Sequence, residues 1–229
     1  MNTIAQRLQE ILTRITQAEI KFNRPAGAVQ LLAVSKTRPV ADIQAAYSAG
    51  QRSFAENYLQ DALPKIAALD PAIDWHYIGP LQSNKTRPVA EHFHWLHTLD
   101  RLKIAQRLND QRPGNLAPLN ICIQVNISQD PNKSGIAPDQ AELLARQLLT
   151  LPGLKLRGLM TIPRYESEFE KQRAPFAALR ELFEDLNRRG LEMDTLSMGM
   201  TGDLEAAIAE GATMVRVGSG IFGERDKAQ

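Results

Sequence analysis

The chain has one cysteine among its 229 residues, Cys122. A lone cysteine excludes an internal disulfide framework, and its apolar setting in LNICIQVN favours a small buried hydrophobe over a nucleophile. That usage is expected of a reducing, cytoplasmic compartment. Charge of one sign is also lacking, with 27 basic against 26 acidic residues and a net charge of +1. Without a basic block there is no electrostatic footprint for nucleic acid or an anionic membrane as partner. No apolar run is long enough to span a bilayer. Arg7, Glu10 and Arg14 interrupt the N-terminal stretch, so it does not read as a secretory signal. No Gly-x-Gly-x-x-Gly follows the first apolar run, which argues against an open dinucleotide-binding sheet. His92, His94 and His97 crowd into EHFHWLHT, but neither their spacing nor a nearby acidic residue suits a metal, and no metal is expected.

Hydrophobic residues make up 43% and charged residues 23%, enough to build a real core. Ile4, Leu8, Ile11, Leu12 and Ile15 recur at helical spacing, so residues 1–22 read as an amphipathic helix packed on that core. Eight short, nearly continuous apolar runs follow, at 29–35, 52–57, 74–79, 93–98, 119–127, 154–162, 193–198 and 213–219. Helical patterns alternate with them. Such runs are expected of parallel strands covered by helices on the outside. Eight strand–helix units predict an α/β chain folded as a single (β/α)8 TIM-type barrel, one domain over 1–229 with the extra N-terminal helix.

The pentapeptide Lys-Thr-Arg-Pro-Val occurs twice, in SKTRPV (35–40) and NKTRPV (84–89). The flanking patterns differ, so the likeness is one of helix-start chemistry rather than a repeat. Thr37 and Thr86 are expected to cap backbone N–H groups, and Pro39 and Pro88 to sit in first turns. Lys36 directly follows the apolar run LLAVS, whereas Lys85 lies several residues out in a loop.

In a (β/α)8 barrel the working surface is the rim at the C-terminal ends of the strands. The run ends place Lys36, Asn57, Gly79, His97, Asn126, Met160, Ser197 to Gly199 and Gly218 to Gly220 there. Desolvation at an apolar rim favours the neutral amine of Lys36, the form that attacks carbonyl groups; an ion pair is the plainer alternative. SMGMTGD and GSGIFG follow the last two runs, where barrels of this kind commonly hold phosphate on glycine-rich loops and a short helix. Ser197 and Ser219 could add hydroxyl donors, and two tight turns are the alternative. Arg216 alternates with Met214 and Gly218 and would stand near the mouth if that face points inward. A structural ion pair is again the alternative. Met198 and Met200 read as packing residues.

LLAVSKTRP, FAENYLQ, WHYIGPLQSNKTR, VNISQDPNKSG, GLMTIP, LSMGMTGDLEAAI and GATMVRVGSGIFGER together resemble the pyridoxal-phosphate homeostasis protein family. The resemblance runs over nearly the whole chain after the first helix. It implies a barrel similar to the N-terminal domain of alanine racemase, with pyridoxal 5′-phosphate (PLP) as cofactor, bound as a Schiff base. Lys36 matches the family's imine-forming lysine and Arg216 its arginine at the pyridine nitrogen. Ser197, Gly199, Gly218 and Ser219 match the phosphate region, Asn57 the asparagine beside the cofactor, and His76 and Met160 are placed near the ring. Ala55 departs from the usual glycine before ENY, and MTGD from the more common MSDD. The implied role is a PLP carrier in vitamin B6 homeostasis, monomeric and cytoplasmic, with apo PLP-dependent enzymes as candidate partners. A racemase-like enzyme and a cofactor-free Schiff-base aldolase are the rivals. Few residues follow the eighth run, too few for the second domain of barrel racemases, so efficient turnover of amino acids is not expected.

Overall fold

The helix that opens the chain starts on a reciprocal cap. Thr3 Oγ1 accepts from Gln6 N at 3.2 Å, and Gln6 Oε1 accepts from Thr3 N at 2.8 Å. In this computed structural model, which describes residues 2–128, 130 and 133–224, helix α1 runs over Ile4–Lys21. Its buried stripe is Leu8, Ile11, Ile15 and Ala18, while Leu12, expected on that face, is 37% exposed. A spacing of three and four residues keeps the stripe on one side, and Leu12 falls beyond its edge.

All eight expected strands are present and parallel, closing into a barrel in sequence order. They are β1 (Gln30–Val34), β2 (Ser53–Glu56), β3 (Asp74–Tyr77), β4 (Trp95–Leu99), β5 (Leu119–Gln124), β6 (Leu154–Met160), β7 (Thr195–Ser197) and β8 (Met214–Val217). The crossover helices are α2 (Val40–Ser48), α3 (Leu59–Ala68), α4 (Thr86–His92), α5 (Leu102–Gln111), α6 (Ala141–Leu148), α7 (Phe169–Arg188) and α8 (Leu204–Ala209). A short α9 (Ser219–Phe222) follows the last strand. The expected tail IFGERDKAQ extends outside the described residues.

Two apolar assemblies result from strand alternation. The larger lies between the sheet and its helices. The smaller fills the inside of the barrel with Leu32, Ala55, Trp95, Cys122, Met160 and Met214. Ala55 is thus an inward packing residue whose methyl helps fill this interior. α1 covers α8 and α9, and Arg7 Nε donates to the Ile221 carbonyl at 2.6 Å. The N-terminal helix therefore braces the end of the chain that follows β8.

Neither threonine of the two pentapeptides caps as expected. Pro39 occupies the N-cap of α2, and Thr37 sits in the left-handed region at φ 65°. A β-branched residue is rarely found there, so the backbone beside Lys36 carries strain. Thr86 is already helical, and its hydroxyl turns back to the Ser83 carbonyl at 3.0 Å. Pro39 ends up outside the first turn, and the two segments share letters but not geometry.

Candidate functional site

β1 ends in Val34, and Ser35 is clamped before the chain leaves the sheet. Its N–H donates to the Ala55 carbonyl at 3.0 Å and its hydroxyl to Glu56 Oε1 at 2.6 Å. Lys65 Nζ, from α3, donates to the same carboxylate oxygen at 2.8 Å and to the Ser35 carbonyl at 3.0 Å. Burial pushes the Glu56 carboxyl up, against the opposing pull of Lys65 and Ser35. This buried knot fixes the backbone from which Lys36 projects. The described residues that line a hollow with Lys36 include no carboxylate.

Lys36 lines a cavity of about 330 Å³ at the C-terminal mouth of the barrel, together with Asn57, Met160, Arg216, Gly218 and Ser219. Six of the nine candidate residues from the sequence therefore meet on one hollow. Gly79 leaves room for the Asn57 backbone beside it, since a Cβ at that glycine would collide with the Asn57 carbonyl. His76, Ser197 and Gly199 lie outside the lining. Ser197 is fully buried behind Arg216, with its oxygen 2.9 Å from Arg216 Nη1 and 2.8 Å from His97 Nδ1. Those two contacts commit the hydroxyl, so the expected phosphate donor faces away from the cavity. Gly199 acts through its backbone, at φ 94°, and its carbonyl accepts from Arg216 N at 2.9 Å.

Sequence reasoning missed several members of this wall. Arg38, Thr201, Gly202 and Met200 all line the cavity, and Met200 is 39% exposed rather than packed. Thr201 and Gly202 stand in the quoted MTGD loop, so their position after β7 was the available signal. Met200 N donates to Asp203 Oδ1 at 2.5 Å, which tightens that loop. Thr201 Oγ1 lies 3.5 Å from Ser219 Oγ, so hydroxyls from the β7 and β8 loops meet. Arg38 Nη2 donates to the Gly223 carbonyl at 2.6 Å and closes the hollow on the α9 side.

Arg216 is inward-facing and only 4% exposed. Nη1 donates to Ser197, and Nη2 to the Thr161 carbonyl at 3.0 Å. Burial lowers its pKa to about 10, partly offset by Asp203 and Cys122, so it remains a cation at neutral pH. Behind Ser197, His97 Nε2 lies 2.9 Å from His76 Nδ1, and His76 Nε2 lies 2.9 Å from Asp74 Oδ2. The acidic partner that the histidine spacing lacked thus comes from the neighbouring strand. Among the described residues, no group of three or more His, Cys, Asp and Glu could hold a metal.

The model of the alanine racemase N-terminal domain matches residues 7–226. A pyridoxal phosphate homeostasis protein of Pseudomonas aeruginosa is 56% identical, over 99% of this chain and 97% of its own length. The chain belongs to the pyridoxal phosphate homeostasis protein family. The Escherichia coli K12 member is 50% identical over 99% of this chain and 98% of its own length. Among solved structures, PipY of Synechococcus elongatus with PLP bound superposes with TM-score 0.84 at 38% identity, covering 96% of this chain and 100% of that one. Alanine racemase of Clostridium difficile shares only the fold, with TM-score 0.75 at 12% identity, covering 94% of this chain and 57% of the racemase. No helix among the described residues is long and apolar enough to cross a membrane.

Proposed function

We propose that this protein holds PLP in the cavity as a Schiff base on Lys36 and serves PLP homeostasis by buffering and delivering the cofactor. The observation that carries this reading is the meeting of Lys36, Arg216 and the Thr201–Ser219 hydroxyl pair on one hollow. PLP has an aldehyde, a pyridine nitrogen and a phosphate, and the three sets of residues offer an amine, a cation and hydroxyl donors to match. Within α9, Ile221 N and Phe222 N donate to the Gly218 carbonyl, which leaves the Ser219 and Gly220 N–H groups for the phosphate end. Lys36 condenses with the aldehyde and releases water. Asn57 and Met160 line the cavity where the ring would be held, while Ser197, His76 and Gly199 support Arg216 from behind. When bound, PLP supplies an electrophilic carbon and an aromatic electron sink.

Arg216 favours the carrier reading over an enzymatic one. A guanidinium facing the pyridine nitrogen keeps that nitrogen unprotonated, which weakens the electron sink. Proton exchange at an amino-acid α-carbon then loses one of its usual supports. The protein acts as a cytoplasmic monomer and passes PLP to apo PLP-dependent enzymes.

Borohydride reduction followed by peptide mapping tests the site. The label belongs on Lys36, and the purified protein should be yellow. Label chiefly on Lys85, which is exposed and borders a separate hollow with Tyr58 and Tyr77, would overturn the assignment. Incubation with L-amino acids in deuterium oxide separates carrier from enzyme. Exchange of α-protons at roughly one per second or faster would establish the enzymatic reading instead.

A further inference from the structure

The barrel interior contains a continuous polar chain that the cavity does not use directly. It runs from Arg216 through Ser197, His97 and His76 to Asp74, with successive separations of 2.9, 2.8, 2.9 and 2.9 Å. Asp74 begins β3, so its carboxylate stands at the mouth opposite the cavity, where its side chain is 34% exposed. Ser197, His76 and His97 are wholly buried.

The two ends impose a direction. An arginine can only donate, and an ionised carboxylate can only accept. Asp74 Oδ2 therefore takes its proton from His76 Nε2–H. With one ring proton, His76 leaves Nδ1 as an acceptor, which His97 Nε2–H fills. His97 Nδ1 must then accept from the Ser197 hydroxyl, whose oxygen accepts from Arg216 Nη1–H. Every N–H and O–H in the chain thereby has an acceptor. Were His76 to carry both ring protons, the His97 tautomer would reverse. Ser197 would then face two donors, with no acceptor for its own proton among its contacts. His94, packed beside Asp74, does not compete for this role: its Nδ1 already accepts from Trp75 N at 2.9 Å.

We propose that Asp74, His76 and His97 are positioning residues that orient Arg216 toward the cavity from the far side of the barrel, through this one-way hydrogen-bonded chain. A hydroxyl that donates onward is a stronger acceptor, so each link strengthens the hold on Nη1. The Thr161 carbonyl holds Nη2 as well, so both terminal nitrogens of an arginine that lines the cavity are fixed. The order of the chain follows from these contacts alone, whereas its effect on PLP rests on the function proposed above.

The test uses the full chain labelled with ¹⁵N-histidine at neutral pH, with the histidine signals assigned by single substitutions. Wild type should show His76 and His97 each protonated at Nε2 and bare at Nδ1, with or without PLP. Asp74→Ala removes the terminal acceptor and should give mixed tautomers at both rings. Asp74→Asn keeps a carbonyl acceptor and should restore the wild-type pattern. PLP affinity should fall about two- to tenfold in Asp74→Ala, the worth of one hydrogen bond, and stay near wild type in Asp74→Asn. A His97 protonated at Nδ1 in wild type would overturn the chain's direction. Unchanged PLP affinity in an Asp74→Ala protein whose tautomers are mixed would overturn the positioning role. If wild type fails to bind PLP at all, the functional reading falls, and the tautomers still decide the chain.

Discussion

Cys122 and His97 sit inside the barrel and are held in their uncharged forms by the same cause. Burial pushes the Cys122 thiol up to about 12, so no thiolate forms at neutral pH. Thiol-alkylating reagents should leave Cys122 unmodified in the native protein and label it fully in denaturant, as mass spectrometry would read. For His97, burial above all, with the nearby Arg216 cation, depresses the pKa well below 6.5. The unfolded chain therefore binds a proton below about pH 6.5 that the folded chain refuses. This contribution to stability is fully present above that pH and is lost as pH falls toward the depressed native value. Urea midpoints measured between pH 7.5 and 5.5 should decline, with His97 accounting for at most about 1.4 kcal/mol per pH unit. His97→Gln should show a shallower decline.

The loops after β7 and β8 depend on backbone geometry as much as on side chains. Gly199 stands at φ 94°, and a Cβ there would press on the Ala207 methyl of α8. Gly199→Ala should cost about 1–3 kcal/mol in urea unfolding. It should also weaken PLP binding, because the Gly199 carbonyl holds the Arg216 backbone. Between β1 and α2 the strain runs the other way. Thr37 keeps a left-handed φ without being glycine, directly after the lysine that carries the proposed chemistry. No local rule of sequence predicts that conformation; the clamp on Ser35 and the N-cap at Pro39 impose it.

α1 contributes no residue to the cavity, yet it packs on α9, whose Ser219 lines that cavity. Its Ile11 packs against Gly220 in α9, beside Ser219. Removing that side chain opens a core void and frees the turn that follows β8. Ile11→Ala should lower stability by about 2–5 kcal/mol. PLP should also be held less tightly, whereas loss of the exposed Leu12 should change neither property appreciably. Comparing urea midpoints and PLP titrations of the two variants checks this.

Strand periodicity and run length make the barrel legible in the sequence, because eight two-sided buried strands leave a repeated local mark. Lys36, Asn57, Met160, Gly218 and Ser219 were legible for a related reason: they stand at strand ends, and strand ends form the rim; Arg216, within β8, was legible from its alternation with Met214 and Gly218. Closure of the sheet decided the rest. Only the pairing of β3 with β4 sets His76 beside His97, and only the ring of strands places Ser197 between His97 and Arg216. Ser197 reads as a rim hydroxyl from its position in the chain. It becomes a buried link because its strand alternation points it into the barrel, where an arginine from β8 is close enough to claim it. A sequence records which face a residue takes, whereas contact across the barrel depends on register, which no single strand carries.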